Sequence, residues 1–127
     1  MNDRRDIESA LARLNALVGA KDNSVIEAFD DDAEVLLVGS ELGEIAKGRH
    51  AIETFFTALF AAPVTIGWEW NRIDIGTEGA TLWFFAEGRA VLDSAGEIKR
   101  LPYRLSGVLV RRNGALYWRQ FHGSEPR

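Results

Sequence analysis

The side chains of this 127-residue chain that could do chemistry cluster toward its C-terminal stretch, residues 101–124, which ends in Trp118-Arg119-Gln120-Phe121-His122-Gly123-Ser124. His122 is the first candidate, because an imidazole exchanges a proton near neutral pH and a neighbouring carboxylate tunes it. Its structural alternative is a strand histidine bonded to backbone or to a partner chain. Arg104 stands among apolar residues and needs an anion beside it, either an acidic ligand or Glu87 or Glu69. The ion pair is the favoured account. Glu87, on an aromatic-rich segment, is a base with a raised pKa if buried, or else the partner of Arg104. Trp68, Trp70, Trp83 and Trp118 offer flat faces for a planar ligand, though such rings fill cores as readily. Phe56 is a further candidate wall residue.

Other features carry less. Asp30-Asp31-Asp32 invites a metal reading, but adjacent carboxylates do not converge on one ion and no other ligand spacing accompanies them. A solvated turn is the expectation. Ser124 has no base–orienter arrangement beyond His122, so nucleophilic catalysis is disfavoured. Glu53 belongs to a solvated helix face. With no cysteine, disulfides, thiolate catalysis and cysteine metal sites are excluded. The net charge of −4 and the scattered basic residues argue against nucleic acid and against a membrane surface as partners. The charged start, Met1 to Asp6, lacks a signal peptide's apolar core, and no apolar run reaches the ~18 residues of a membrane span. A cytoplasmic protein is expected, and no motif calls for a cofactor.

These residues need elements to position them. One domain over residues 1–127 is expected from the length. Ile7, Ala10, Leu11, Leu14, Leu17 and Val18 share a helical face over 6–19, capped by Asn2 or Asp3 and stopped at Gly19. Ser24-x-x-Glu27 fits a capping box opening a short second helix. Residues 33–38 read as a strand buried on both sides, and 39–48 as a glycine-punctuated loop. Ile52, Phe55, Phe56, Leu59 and Phe60 form the stripe of a third helix ended by Pro63. Residues 64–75, 80–92, 97–112 and 115–122 are then long, β-branched and aromatic, separated by turn sequences of which Asn113-Gly114 is the strongest. Helices first and a hairpin-linked meander last is the α+β order.

Alternation assigns faces. It groups Trp68 and Trp70 with Arg72 and Asp74. Trp83, Phe85, Glu87 and Arg89 oppose Leu82, Phe84 and Ala86; Arg104 and Ser106 oppose Tyr103 and Leu105. Trp118 is grouped with Gln120 and His122, against Tyr117, Arg119 and Phe121. A bulge flips this parity beyond it. Both faces carry large apolar groups, so one should meet the helices and the other a second copy of the chain.

The order of elements resembles the cone-shaped fold of nuclear transport factor two, whose relatives include ketosteroid isomerases, scytalone dehydratase and SnoaL-like polyketide cyclases. The resemblance is carried by Phe29-Asp30-Asp31-Asp32-Ala33-Glu34-Val35, by Gly48-Arg49-His50-Ala51-Ile52 opening a helix with Phe55-Phe56, by the run from Arg104 to Arg111, by Asn113-Gly114, and by Trp118 to Ser124. The last block is most similar to the bacterial SnoaL-like proteins. The resemblance implies N-terminal helices packed on a strongly curved, mostly antiparallel sheet, a pocket between helices and sheet, and dimerisation through the sheet. It also implies places for the ketosteroid isomerase machinery, and these hold Leu14, Leu36-Leu37 and Val108, none of which can serve. The scytalone-type histidine pair is unmatched, since His50 opens a helix.

Two functions compete. One is a non-catalytic module binding a small hydrophobic or aromatic molecule in an apolar, tryptophan-lined pocket, and the residues lean toward it. The other is a cofactor-independent lyase, isomerase or cyclase acting by proton transfer on an aromatic or polyketide-like substrate. In that enzyme His122 is the acid/base, Arg104 binds a carbonyl or carboxylate, and Glu87 assists.

Overall fold

A computed structural model describes residues 2–126; the two end residues of the expected domain, Met1 and Arg127, lie outside it. Helix α1 spans Asp3–Gly19 and is capped by the Asn2 side chain, which accepts from the Arg5 N–H. It buries Ile7, Leu11, Leu14 and Val18, the stripe that the spacing predicts. A short 3₁₀ helix follows over Asn23–Ala28. Its cap is Asp22, whose carboxylate accepts from the Ser24 N–H at 2.9 Å, and not the Ser24 capping box expected from the sequence. Strands β1 (Leu36–Val38) and β2 (Ile45–Lys47) precede α2 (Arg49–Ala61), and strands β3 (Thr65–Glu78), β4 (Thr81–Ser94), β5 (Glu97–Arg112) and β6 (Ala115–Ser124) complete the chain.

The six strands form one sheet in the order β2-β1-β6-β5-β4-β3. All pairs are antiparallel except β1 with β6, which run parallel. The architecture is the expected α+β cone: helices packed on a curved sheet that does not close into a barrel. The β4–β5 and β5–β6 turns are two-residue connections, Ala95-Gly96 and Asn113-Gly114, with φ of 54° and 90°, and of 52° and 81°. Positive φ at both central residues is the type I′ geometry that matches strand twist. β2 was not expected; it lies inside the stretch read as a loop and pairs Leu36 to Val38 with Lys47 to Ile45.

Two bulges decide which side chains face inward. On β3 the register shifts between Trp70 and Arg72, leaving Asn71 as the extra residue. Ile73 and Ile75 thereby join Trp68 and Trp70 on the inner face, and Arg72 and Asp74 turn outward. The backbone presses close there, because a Cβ on Gly88, opposite Trp70, would overlap the Glu69 carbonyl oxygen. On β6 the register shifts at Arg119, so Trp118 and Phe121 both face the core while Gln120 and His122 face out. Strict alternation had separated these pairs, and the bulges correct it.

The core lies between the inner sheet face and the helices. Phe29, Phe84 and Phe121 surround Trp118 at ring-centroid distances of 6.4, 5.5 and 5.8 Å. A Cβ on Gly107 would strike Phe84 and Trp118, so this glycine makes room for both rings. Helix α1 also covers the free edge of β3. Asn15 accepts from the Trp68 N–H at 2.8 Å, and the Arg4 guanidinium donates to the Ile73 carbonyl at 3.0 Å. An unpaired edge is thus satisfied by side chains. Among the described residues no helix is long and apolar enough to cross a membrane.

Asp30 departs from the expected solvated turn. It is buried, and its carboxylate takes two hydrogen bonds from Arg112, at 2.7 and 2.9 Å, with Arg119 at 3.5 Å. The Arg112 hydrogen bonds hold its carboxyl below the ordinary carboxylate range; burial opposes them, and the charges of Arg112 and Arg119 reinforce them. Arg119, the bulge residue, also reaches Asp32 at 3.3 Å. The acidic run therefore clamps the end of the 3₁₀ helix to β5 and β6.

Candidate functional site

The inner face of the sheet meets α1 and α2 around a cavity of about 90 Å³. Its walls are apolar: Leu14 from α1, Phe55, Phe56 and Leu59 from α2, and Leu37, Ile66, Trp68, Ala90 and Phe121 from the sheet. At its mouth stand Ser40 and Glu44 from the β1–β2 connection, Glu125 from beyond β6, and Tyr103 from β5.

Among the described residues Tyr103 is the one ionisable side chain buried against this space. It is 5% exposed, and its ring sits between Trp68 and Trp70 at 6.1 and 6.3 Å. Gly123 on the neighbouring strand leaves the space for it, since a Cβ there would overlap the Tyr103 hydroxyl. Burial pushes the phenol well above its ordinary range. The negative charges of Glu125 and Glu44 push it further, while the Trp68 indole and Ser40 favour the phenolate slightly. At neutral pH the group is a neutral phenol, able to donate one hydrogen bond and accept others. The Trp68 Nε1–H is buried against the Tyr103 hydroxyl, which it polarises, though short of a fully formed hydrogen bond.

The mouth is acidic. Ser40 donates to Glu125 at 3.2 Å, and Glu44 accepts from the Glu41 N–H at 2.9 Å, which fixes the connection. Among the described residues no Lys, Arg or His pairs with Glu44 or Glu125.

The residues singled out from the sequence divide between the two faces. Trp68 and Phe56 line the cavity. Trp70 faces inward but borders a separate shallow hollow against α1. Trp118 is sealed in the core at 2% exposure, and Trp83 lies on the outer face at 45% exposure. A tryptophan-lined pocket is thus corrected to one with a single tryptophan in its wall. Arg104, Glu87 and His122 do come together, but on the outer face. Glu87 is the direct cross-strand neighbour of Arg104, and His122 that of Ser106. Arg104 Nε donates to Glu87 at 2.8 Å with both side chains about half exposed, 50% and 45%. This corrects the expectation that the Arg104–His122 stretch forms the pocket wall with those residues: its wall residues are Tyr103 and Phe121, one position away on each strand. Among the described residues no group of three or more His, Asp or Glu is placed to hold a metal ion.

Tyr103 was passed over as a site residue. The available signal was its place in the apolar row Leu101, Tyr103, Leu105, where a residue with a polar tip interrupts purely apolar neighbours. Glu44, Ser40 and Glu125 carried no such signal, because loop residues come to the cavity only through the packing of β1 beside β6.

A family model described as the SnoaL-like domain matches residues 7–127. No curated protein matches the sequence significantly. Solved structures do. A protein from Streptomyces avermitilis, provisionally described as a dehydratase of the NTF2-like family, superposes with a TM-score of 0.86 at 12% identity, covering 98% of this chain and 97% of that one. A nuclear transport factor 2-like superfamily protein from Salmonella enterica gives 0.82 at 14% identity, with 98% and 91% covered. An NTF2-like protein with a cystatin-like fold from Novosphingobium aromaticivorans gives 0.75 at 18% identity, with 97% and 81% covered. At such identities the likeness speaks for the fold alone.

Proposed function

The chain belongs to the SnoaL-like domain family, and from that premise we propose that it is a small-molecule-binding domain whose ligand occupies the cavity between α1, α2 and the inner sheet face. The observation that carries this reading is a neutral, buried Tyr103 phenol at the wall of an otherwise apolar space. An apolar cavity with a few convergent polar groups is the usual form of a ligand site. A volume near 90 Å³ suits a small ring or the end of a larger molecule that projects through the mouth.

The catalytic alternative is a cofactor-independent lyase, isomerase or cyclase working by acid–base proton transfer on an aromatic or polyketide-like substrate. What favours it is the pairing at one mouth of a phenol kept protonated with two carboxylates, a division into donor and acceptor that such chemistry uses. In this version Tyr103 donates to a substrate oxygen and Glu44 or Glu125 accepts a proton. The description of the Streptomyces avermitilis relative points the same way.

The outer face supports a homodimer. Trp83, Phe85, Val108 and Tyr117 expose apolar surface there. Light scattering after size exclusion is expected to give twice the 14.1 kDa chain mass, and Trp83→Glu to return it to the monomer.

Native mass spectrometry of the purified protein tests the ligand reading, followed by titration of co-purified or screened ligands against tryptophan fluorescence. Tyr103→Phe is expected to weaken binding about tenfold, the worth of a hydrogen bond of about 1–1.5 kcal/mol, while His122→Ala leaves it unchanged. Binding that survives Tyr103→Phe and disappears in His122→Ala would move the site to the outer face and end this proposal.

A further inference from the structure

Resting on the cavity reading above, we infer that the ligand is elongated, with one end in the cavity and an uncharged aliphatic chain lying in an open groove between α2 and β2. The faces of α2 bring the two spaces together. Helical periodicity puts Ile52 and Phe56 in one row, His50, Thr54 and Ala58 in another, and Phe55 and Leu59 in the row between them. Ile52 and Phe56 are buried, and Phe56 lines the cavity. The row of His50, Thr54 and Ala58 faces Ile45 and Ala46 of β2 across a second hollow, an open groove of about 710 Å³. Phe55, Leu59 and Glu44 border both spaces. Cavity and groove therefore meet at one rim, and Phe55 and Leu59 make its crest apolar.

The ligand must cross this rim, because the cavity is small. Small-molecule sites run to about 300–1,000 Å³, and a space of about 90 Å³ holds one end of such a molecule. The remainder leaves by the mouth, where the groove begins. Glu44 does not bar the way. Its carboxylate accepts from the Glu41 N–H at 2.9 Å and folds back over Gly39, where a Cβ would overlap it. The groove's only ionisable lining residues among those described are Glu44 and His50; Ala51, Ala58 and Ala62 complete its helical wall. Methylenes lose water favourably against such a surface, whereas a charged group would lose water without gaining a partner. From His50 to Ala62 the groove follows α2 for about 18 Å, at about 1.5 Å per residue, enough for an extended chain of several carbons. The homodimer proposed above uses the outer sheet face. Helix α2 packs on the inner side, so that dimer leaves the groove open to the ligand.

Methyl ketones of increasing length test this: 2-butanone, 2-hexanone, 2-octanone and 2-decanone, titrated into ¹⁵N-labelled protein and followed by amide chemical shifts. The acetyl end is the constant part, seated in the cavity beside Tyr103. Affinity is expected to rise about twofold per added methylene, about sixteenfold from 2-butanone to 2-octanone, since an open groove covers about half of each group. The longer ketones are expected to shift the Thr54 and Ala58 amides, and 2-butanone is not. Ala58 is exposed, and a helix accepts glutamate there. Ala58→Glu is expected to reduce the sixteenfold gain to below about threefold by setting a charge against the chain, with 2-butanone binding as in wild type. Tyr103→Phe, in contrast, weakens all four ketones alike. If 2-butanone binds and the longer ketones bind no tighter, or if the gain survives Ala58→Glu, the cavity reading stands and the chain is not in the groove. Self-association that Ala58→Glu abolishes, without a gain from chain length, gives the groove to a second copy and likewise overturns the inference. If no ketone binds, both readings fall together.

Discussion

Both faces of the sheet carry aromatic rings and at least one ionisable side chain, and they use them in opposite ways. On the inner face each ring has neighbours, and the ionisable group buried at the cavity wall, Tyr103, is held neutral chiefly by burial. On the outer face Arg104 and Glu87 neutralise each other in solvent, and Trp83 lies half-exposed over Gly76. Residue type therefore says little about which face does chemistry. A histidine, an arginine and a glutamate on three adjacent strands make a plausible triad on paper. They sit on the side that has water instead of a cavity, where an ion pair is worth about 0–1 kcal/mol.

The largest test of this contrast is a pair of truncations. Trp118→Ala removes a ring packed on three phenylalanines and is expected to cost about 3–5 kcal/mol in urea unfolding. Trp83→Ala is expected to cost under about 1 kcal/mol for the isolated monomer. Equal costs would mean that the outer face is as well packed as the core. Next comes Gly123→Ala. The added methyl displaces Tyr103 toward the cavity, costing about 1–3 kcal/mol, and ligand binding should fall while Tyr103→Phe in the same background restores part of the stability.

Asp30 gives a pH-dependent test. Its folded pKa lies below the ordinary 3.8, so its stabilising contribution is complete above about pH 5 and is lost as the pH falls through the folded value. Asp30→Asn is expected to melt about 4–8 °C below wild type at pH 7, and the gap should narrow on acidification below about pH 4. A gap constant from pH 7 to pH 3 would show that the carboxylate's charge contributes nothing. The smallest effect belongs to the outer face: Arg104→Met and His122→Ala should each change stability by no more than about 0.5 kcal/mol, with cavity binding intact.

Most of the architecture was legible because the periods were long. The stripe from Ile7 to Val18, the Phe55-Phe56 helix and the four long strands repeat often enough to be read, and Asn113-Gly114 fixes one turn by the φ values it tolerates. β2 was not legible, because Ile45 to Lys47 is too short for any period and is held by its pairing with β1. The faces were half legible. Alternation is reliable until one residue is added, and neither bulge, at Asn71 or at Arg119, has a glycine or proline next to it to mark it. Past those points every inference from parity reversed. That is why Trp118 was grouped with His122. Asp30 was misread for another reason: its partners Arg112 and Arg119 lie more than eighty residues away along the chain, and local sequence holds no trace of them.

The sheet order has a kinetic consequence. β6 is the last strand in sequence, yet it occupies an interior position, with β1 on one side and β5 on the other. Until it is synthesised, the β1–β2 pair has no connection to the meander of β3, β4 and β5, and Ser40 and Glu44 cannot reach Tyr103. The chain must hold two half-sheets apart and close them with its final strand, a long-range step that pays its loop entropy before any contact returns it. The cavity is thus complete only once β6 has docked, since that strand supplies Phe121 to its wall and joins the β1–β2 connection to Tyr103.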